Sequence, residues 1–226
     1  MKTLVILFCC VMVSHTLFAQ SDDYPVLYRG DFRSTADLGQ FEYSDPAAWR
    51  INTQYGTLEL FGVSDYRPPV RSPRNIALLK DMQVGSFVLD MDLKQTGKEY
   101  GHRDMCIFFG MKDASNFYYV HLATKADPNA HNIFLVNDEA RRNIATKTTS
   151  GINWGQDWHR VRIVRYAQSG IIEVYFDDLQ TPIMEATDTH FRNGFIGFGS
   201  FDDTGMIDNV VLRGERWFEG EGFFER

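Results

Sequence analysis

Over much of the chain, apolar residues recur at every second position, the period of a β-strand with one buried face. In the stretch 87–93, Phe87, Leu89, Met91 and Leu93 fall on one face, and Asp90 and Asp92 on the other. The same alternation predicts strands over 105–111, 116–124, 132–137, 158–166, 171–176 and 195–201, separated by segments rich in Gly, Asp, Asn and Ser. Ser169-Gly170 reads as a hairpin turn, because glycine accepts the positive φ that tight turns need. The same holds for the segment from Asp202 to Gly205. Arg67-Pro68-Pro69-Val70-Arg71-Ser72-Pro73 cannot continue a ladder and reads as a loop at the rim. Many short strands, little helical periodicity and no internal repeat predict an all-β chain, an antiparallel two-sheet β-sandwich of the jelly-roll kind.

The N-terminus breaks the pattern. Residues 1–20 start with Lys2, run through a short apolar stretch and end in Leu17-Phe18-Ala19-Gln20, the layout of an export signal. The apolar run is shorter than the ~20 residues that span a bilayer. The expectation is therefore a signal peptide over 1–20, one domain over 21–214, and an aromatic and acidic tail over 215–226. The protein is expected to be secreted or periplasmic, with no membrane span. Removing residues 1–20 takes one lysine from the 23 basic residues and none of the 30 acidic ones, which moves the net charge from -7 to -8. Such an acidic chain lacks the basic stripe that nucleic acid requires. Removal also leaves Cys106 as the one cysteine, so an internal disulfide is excluded and the core or a metal must supply stability.

The stretch Trp158-His159-Arg160-Val161-Arg162-Ile163-Val164-Arg165, followed by the run from Ser169 to Asp178, resembles the tryptophan-led hairpin of concanavalin A-like and laminin-G-like domains. The segments 194–201 and 206–212 are similar to their closing strands. Asp31-Phe32, Trp49-Arg50-Ile51 and Gly56-Thr57-Leu58 are similar to their opening. This resemblance implies a concanavalin A-like jelly roll that handles saccharides, nearest to the 3-keto-disaccharide hydrolase family. It also implies a Trp158 packed in the core and, by position, a structural calcium held by Asp31 and Asp208. The Glu-x-Asp-x-x-Glu pattern of the superfamily's glucanases is not found in this sequence.

Titratable residues concentrate between 102 and 142. Three histidines, His102, His121 and His131, fall there with Arg103, Asp104, Tyr118, Tyr119, Arg141 and Arg142. Alternation puts Tyr118, Val120 and Leu122 on one face of their strand and Tyr119 and His121 on the other. If the neighbouring strands pair as sequential hairpins, these groups meet on the sheet face where such sandwiches hold sugars. The expected site has His102, Arg103, Tyr119 and His121 as catalytic residues, and His131, Arg142 and Trp154 as substrate-binding residues. His121 or Tyr119 would remove a proton beside a carbonyl or carboxylate, and Arg103 would stabilise the resulting charge. Two other readings use the same residues: a non-catalytic carbohydrate-binding module, and a polysaccharide lyase acting by β-elimination. A divalent metal on His102, Asp104, His121 and His131 is a further option.

Overall fold

A computed structural model describes residues 24–218. The predicted signal peptide and the final eight residues lie outside the described part. Its strands are β1 (Val26–Gly30), β2 (Phe41–Tyr43), β3 (Trp49–Asn52), β4 (Thr57–Leu60), β5 (Asn75–Gln95), β6 (Asp104–Asp113), β7 (Asn116–Ala123), β8 (Asn132–Asn137), β9 (Arg142–Asn143), β10 (Ala145–Thr148), β11 (His159–Tyr166), β12 (Ile171–Phe176), β13 (Met184–Thr187), β14 (Gly194–Ser200) and β15 (Gly205–Phe218). Every pairing is antiparallel. No helix among the described residues is long and apolar enough to cross a membrane.

The long β5 joins the two layers. Its first half pairs with β2 and β14, and from β14 the sheet continues through β6, β7, β8 and β9. Its second half lies between β11 and β15, and from β11 the sheet continues through β12, β13 and β10. The layer that holds β6 to β9 is the first sheet and the layer that holds β10 to β13 is the second. Between them, Leu89, Met91 and Leu93 of β5 meet Met105, Ile107 and Phe109 of β6, Tyr118, Val120 and Leu122 of β7, and Val161 and Ile163 of β11. Apolar contact spread over so many strands supplies the main stabilising term of the sandwich.

The hairpin of β11 and β12 closes as the sequence predicts, with Gly170 at φ +81°. A Cβ there would sit 2.7 Å from the Asp188 carbonyl oxygen, so only glycine fits. The segment from Asp202 to Gly205 differs from expectation. The strands that flank it, β14 and β15, do not pair with each other but run along different parts of β5, so it crosses between sheets instead of closing a hairpin. The last strand also extends past Gly214. Glu215 to Phe218 belong to β15, where Arg216 and Phe218 oppose Val84 and Gln83, so the tail predicted over 215–226 begins as sheet.

The first sheet carries a second apolar layer on its outer face. Ile76, Leu78, Cys106, Phe108, Phe117, Tyr119 and Phe134 form it, and Tyr66, Val70 and Phe201 pack on top. The proline-rich 61–74 segment thus folds over the outside of the first sheet. It is pinned there by Ser64 N–H donating to Asn75 Oδ1 at 2.7 Å and by Arg74 Nε donating to the Phe201 carbonyl at 3.1 Å.

Candidate functional site

Strand parity and register build the site. On β6 the even-numbered residues Asp104, Cys106 and Phe108 face outward, and on β7 the odd-numbered Phe117, Tyr119 and His121 do. The β6–β7 register sets Cys106 directly opposite His121, and β8 sets Phe134 opposite Tyr119. Asp104, Cys106 and His121 are therefore neighbours, and all three are buried.

Above them is a cleft of about 570 Å³. Its floor includes Asp104, His121 and Phe201. Tyr66, Arg67, Arg71 and Arg74 come from the 61–74 segment, Arg141 from the residue ahead of β9, and Tyr100 and His102 from the turn before β6. Asn129 and Asp202 complete the rim.

The floor is held by a dense polar network. Asp104 Oδ1 accepts from Ser200 Oγ at 2.8 Å, and Oδ2 accepts from the Cys106 thiol at 3.0 Å and the Phe201 N–H at 3.3 Å. Burial pushes the Asp104 carboxyl upward, but the His121 imidazole, the Cys106 thiol and the Ser200 hydroxyl outweigh it and hold the group below the usual carboxylate range. Asp203 is the opposite case. Burial raises its carboxyl to about 6, against hydrogen bonds from Tyr100 Oη and the Asp104 N–H. Burial, with Asp104 alongside, also pushes the Cys106 thiol well up, so it is neutral and a poor nucleophile.

His121 Nδ1 lies 3.2 Å from the Asn129 carbonyl oxygen. A carbonyl only accepts, so Nδ1 carries the proton. Nε2 is 3.3 Å from Asp104 Oδ2 but is out of line for a hydrogen bond, and it is sealed from solvent. The Tyr119 hydroxyl is also buried without a partner, and burial raises its pKa far above normal. Phe201 covers both, with ring centroids 5.4 Å from His121 and 6.2 Å from Tyr119, and the Arg141 guanidinium stacks on Phe201 at 4.7 Å. His121 thus reaches the cleft floor, while its Nε2 and the Tyr119 hydroxyl, the atoms expected to act as base, are closed to solvent.

His102 is placed differently. Its side chain is 53 % exposed, and Nε2 lies 2.6 Å from Asp127 Oδ2 at the cleft edge. Asp127 is fixed in turn by the Asn129 N–H at 2.7 Å. Slight burial raises the Asp127 carboxyl, but the Asn129 N–H and the His102 contact outweigh this and lower it.

The remaining expected residues point elsewhere, and parity explains two of them. Arg103 shares the inward parity of Met105 and Ile107. It is buried, with Nε on Gln95 Oε1, Nη2 on the Gln95 carbonyl and Nη1 on the Gly155 carbonyl. It stabilises no charge in the cleft. His131 shares the parity of Ile133 and Leu135. Its Nδ1 accepts from the Ala123 N–H, so its Nε2–H donates to Thr149 Oγ1 at 2.9 Å. Burial, with His121 nearby, lowers its pKa to about 4, and it is an internal strut.

Arg142 is exposed on β9 opposite Leu135, and the arginine in the cleft is its neighbour Arg141. Trp154 is 1 % exposed. Its Nε1–H donates to the Arg103 carbonyl and its ring meets His159 and Phe176 edge-on, so it offers no sugar platform. Trp158, expected in the core, is 40 % exposed. Counting back by twos from Arg160 and Arg162 would have placed it outside.

Asp31 is 71 % exposed and pairs with Arg33 at 3.4 Å, and Asp208 Oδ1 accepts from the Asn209 N–H. Among the described residues, the His, Cys, Asp and Glu groups with three ligand atoms within 4.8 Å of one another are Asp104/Cys106/His121 and Asp104/Asp202/Asp203. Asp31 and Asp208 belong to neither group, and the charges of Asp92 and Asp31 both act on the Asp208 carboxyl. Sequence reasoning missed Arg67, Arg71 and Arg74, whose signal was three arginines in one proline-stiffened loop, and Asp127, which sits two residues before Asn129.

No family model and no curated protein matches the chain. Solved structures do resemble it in fold. The carbohydrate binding module CBM66 from Bacillus subtilis aligns at 16 % identity and TM-score 0.57, over 77 % of this chain and 96 % of its own. The lectin UEA-II complexed with galactose aligns at 13 % identity and TM-score 0.58, over 83 % and 98 %. The xylan beta-1,4-xylosidase from Bacillus halodurans C-125 aligns at 12 % identity and TM-score 0.58, over 82 % of this chain and 38 % of its own. At these identities the likeness establishes the fold alone: a concanavalin A-like jelly roll.

Proposed function

We propose that this domain is an exported, carbohydrate-active enzyme that takes a saccharide into the outer-face cleft and removes a proton next to its carbonyl or carboxylate group. Export rests on the leader over 1–20. The observation that carries the reading is His102, which lines the same cleft as the arginines and is paired with Asp127 at 2.6 Å. In this arrangement Asp127 fixes the imidazole through Nε2, and the exposed ring acts as general base. The arginines stabilise the negative charge that builds on the substrate oxygen. This is the step shared by 3-keto-glycoside cleavage and β-elimination.

The folds it resembles belong to proteins whose names speak of carbohydrate binding, galactose and xylan, and this supports a saccharide as ligand. A second reading, a non-catalytic binding module, is favoured by the sealing of His121 Nε2 and Tyr119 Oη. Turnover and binding of an oligosaccharide panel separate the two. The enzyme reading expects His102→Ala to lower kcat by about 10²- to 10⁴-fold, the usual contribution of a general base, with Kd little changed. Binding without turnover in the unaltered protein would leave the binding module, and an unchanged kcat in His102→Ala would remove His102 from the chemistry.

A further inference from the structure

The cleft is far more basic than the chain that forms it. Arg67, Arg71, Arg74 and Arg141 line it together with two histidines, against the carboxylates of Asp104 and Asp202, in a protein of net charge -7. Arg74 is engaged, with Nε donating to the Phe201 carbonyl and Nη2 3.7 Å from Asp202. Arg67, Arg71 and Arg141 form no ion pair among the described residues.

Arg141 is the most informative of them. Its Nη2 donates to the Asn129 carbonyl at 3.3 Å, while Nε and Nη1 are buried with no hydrogen-bond partner. Leaving buried charged donors without partners is strongly unfavourable, more so than for neutral groups, so the fold itself does not satisfy the charge of this guanidinium. Arg71 and Arg141 line the same cleft above Asp104 and His121, with the Arg141 guanidinium over the Phe201 ring. Their backbones are tied as well, Arg141 N–H donating to the Arg71 carbonyl at 3.4 Å. The prolines at 68, 69 and 73 stiffen the segment that carries Arg67 and Arg71. Guanidinium forks held in advance suit planar or tetrahedral oxyanions, which they bind with paired hydrogen bonds.

We infer that the cleft selects anionic saccharides, with Arg141, Arg71 and Arg67 binding a carboxylate or sulfate group on the sugar. This rests on the reading of the cleft as a saccharide site and names the class of saccharide it takes.

The test is calorimetric titration of the full chain with three probes: an oligogalacturonate, a sulfated galactan oligosaccharide and an uncharged galactan oligosaccharide of equal length. Each is run at low and high salt on the unaltered protein, on Arg71→Ala and on Arg67→Ala, with thermal midpoints recorded to confirm folding. Both arginines are exposed, so these variants are expected to fold. At least one charged probe is expected to bind at least about tenfold more tightly than the uncharged one, with affinity falling in salt and falling about tenfold or more in Arg71→Ala. Which charged probe wins identifies the group as carboxylate or sulfate. Equal affinity for charged and uncharged probes, unaffected by Arg71→Ala, overturns the anionic selection while the saccharide site stands. No binding of any of the three overturns both.

Discussion

The outer faces of the two sheets both carry arginines, and they treat them differently. On the second sheet, Arg162 grips Asp90 through Nε at 2.7 Å and Nη2 at 3.1 Å, Arg213 reaches the same carboxylate at 3.3 Å, and Arg160 meets Asp92 at 2.9 Å. Asp90 is buried beneath them. On the first sheet, Arg67, Arg71 and Arg141 have no such partner among the described residues, and two donors of Arg141 are buried without a hydrogen bond there. The first arrangement satisfies its own charges and belongs to the fold. The second leaves them unsatisfied and makes sense as a surface completed by a ligand.

The largest expected effect is on stability, from breaking the satisfied side. Asp90→Ala removes the shared partner of Arg162 and Arg213, and should lower unfolding free energy by roughly 2 to 3 kcal/mol in a denaturant titration, since the arginines retain partial access to water. Arg71→Ala in the cleft should change stability by no more than about 0.5 kcal/mol. Similar losses in both variants would erase the contrast between the faces.

The pH dependence gives a somewhat smaller effect from two buried groups, His131 and Asp203. His131 has a folded pKa of about 4 against an ordinary 6.5, so between these values the unfolded chain takes up a proton that the folded one refuses. Stability from this group therefore falls as pH drops from 6.5 to 4. Asp203 runs the other way: raised to about 6 from 3.8, it keeps a proton in the folded state that the unfolded chain has released, and its contribution falls as pH rises through the same window. The two offset each other. His131→Asn, chosen because φ at this position is +53° and asparagine tolerates that region, should expose the Asp203 slope. The denaturation midpoint should then fall between pH 4 and 6, by roughly 1 to 2 kcal/mol in free energy once solvent screening of the carboxyl is allowed for. A midpoint that still rises over that window would contradict the assignment of His131.

The sandwich was legible because its signal is local. Alternation in 87–93 and 117–122 set the buried faces, and the structure places Leu89, Met91, Tyr118 and Val120 between the sheets. The site was legible to the level of the strands and less so at single residues. Parity alone separates His102, Asp104 and His121 on the outer face from Arg103 on the inner one, and a shift of one residue distinguishes Arg141 from Arg142. What no local pattern carries is the fold-over of the 61–74 segment, which brings Arg71 from thirty and more positions away in sequence onto β6 and β7. Nor does local pattern reveal that Phe201 closes over His121 and Tyr119.

The central claim is that the unpaired arginines of the first sheet meet a ligand and the paired ones of the second do not. It is tested most directly by following arginine Nε–Hε signals by NMR while oligogalacturonate or the sulfated galactan oligosaccharide is added. The account predicts that the Arg141 and Arg71 signals shift with one of these probes while those of Arg160 and Arg162 stay in place. Signals of Arg141 and Arg71 that remain unmoved by both, or that move no more than those of Arg160 and Arg162, would contradict it.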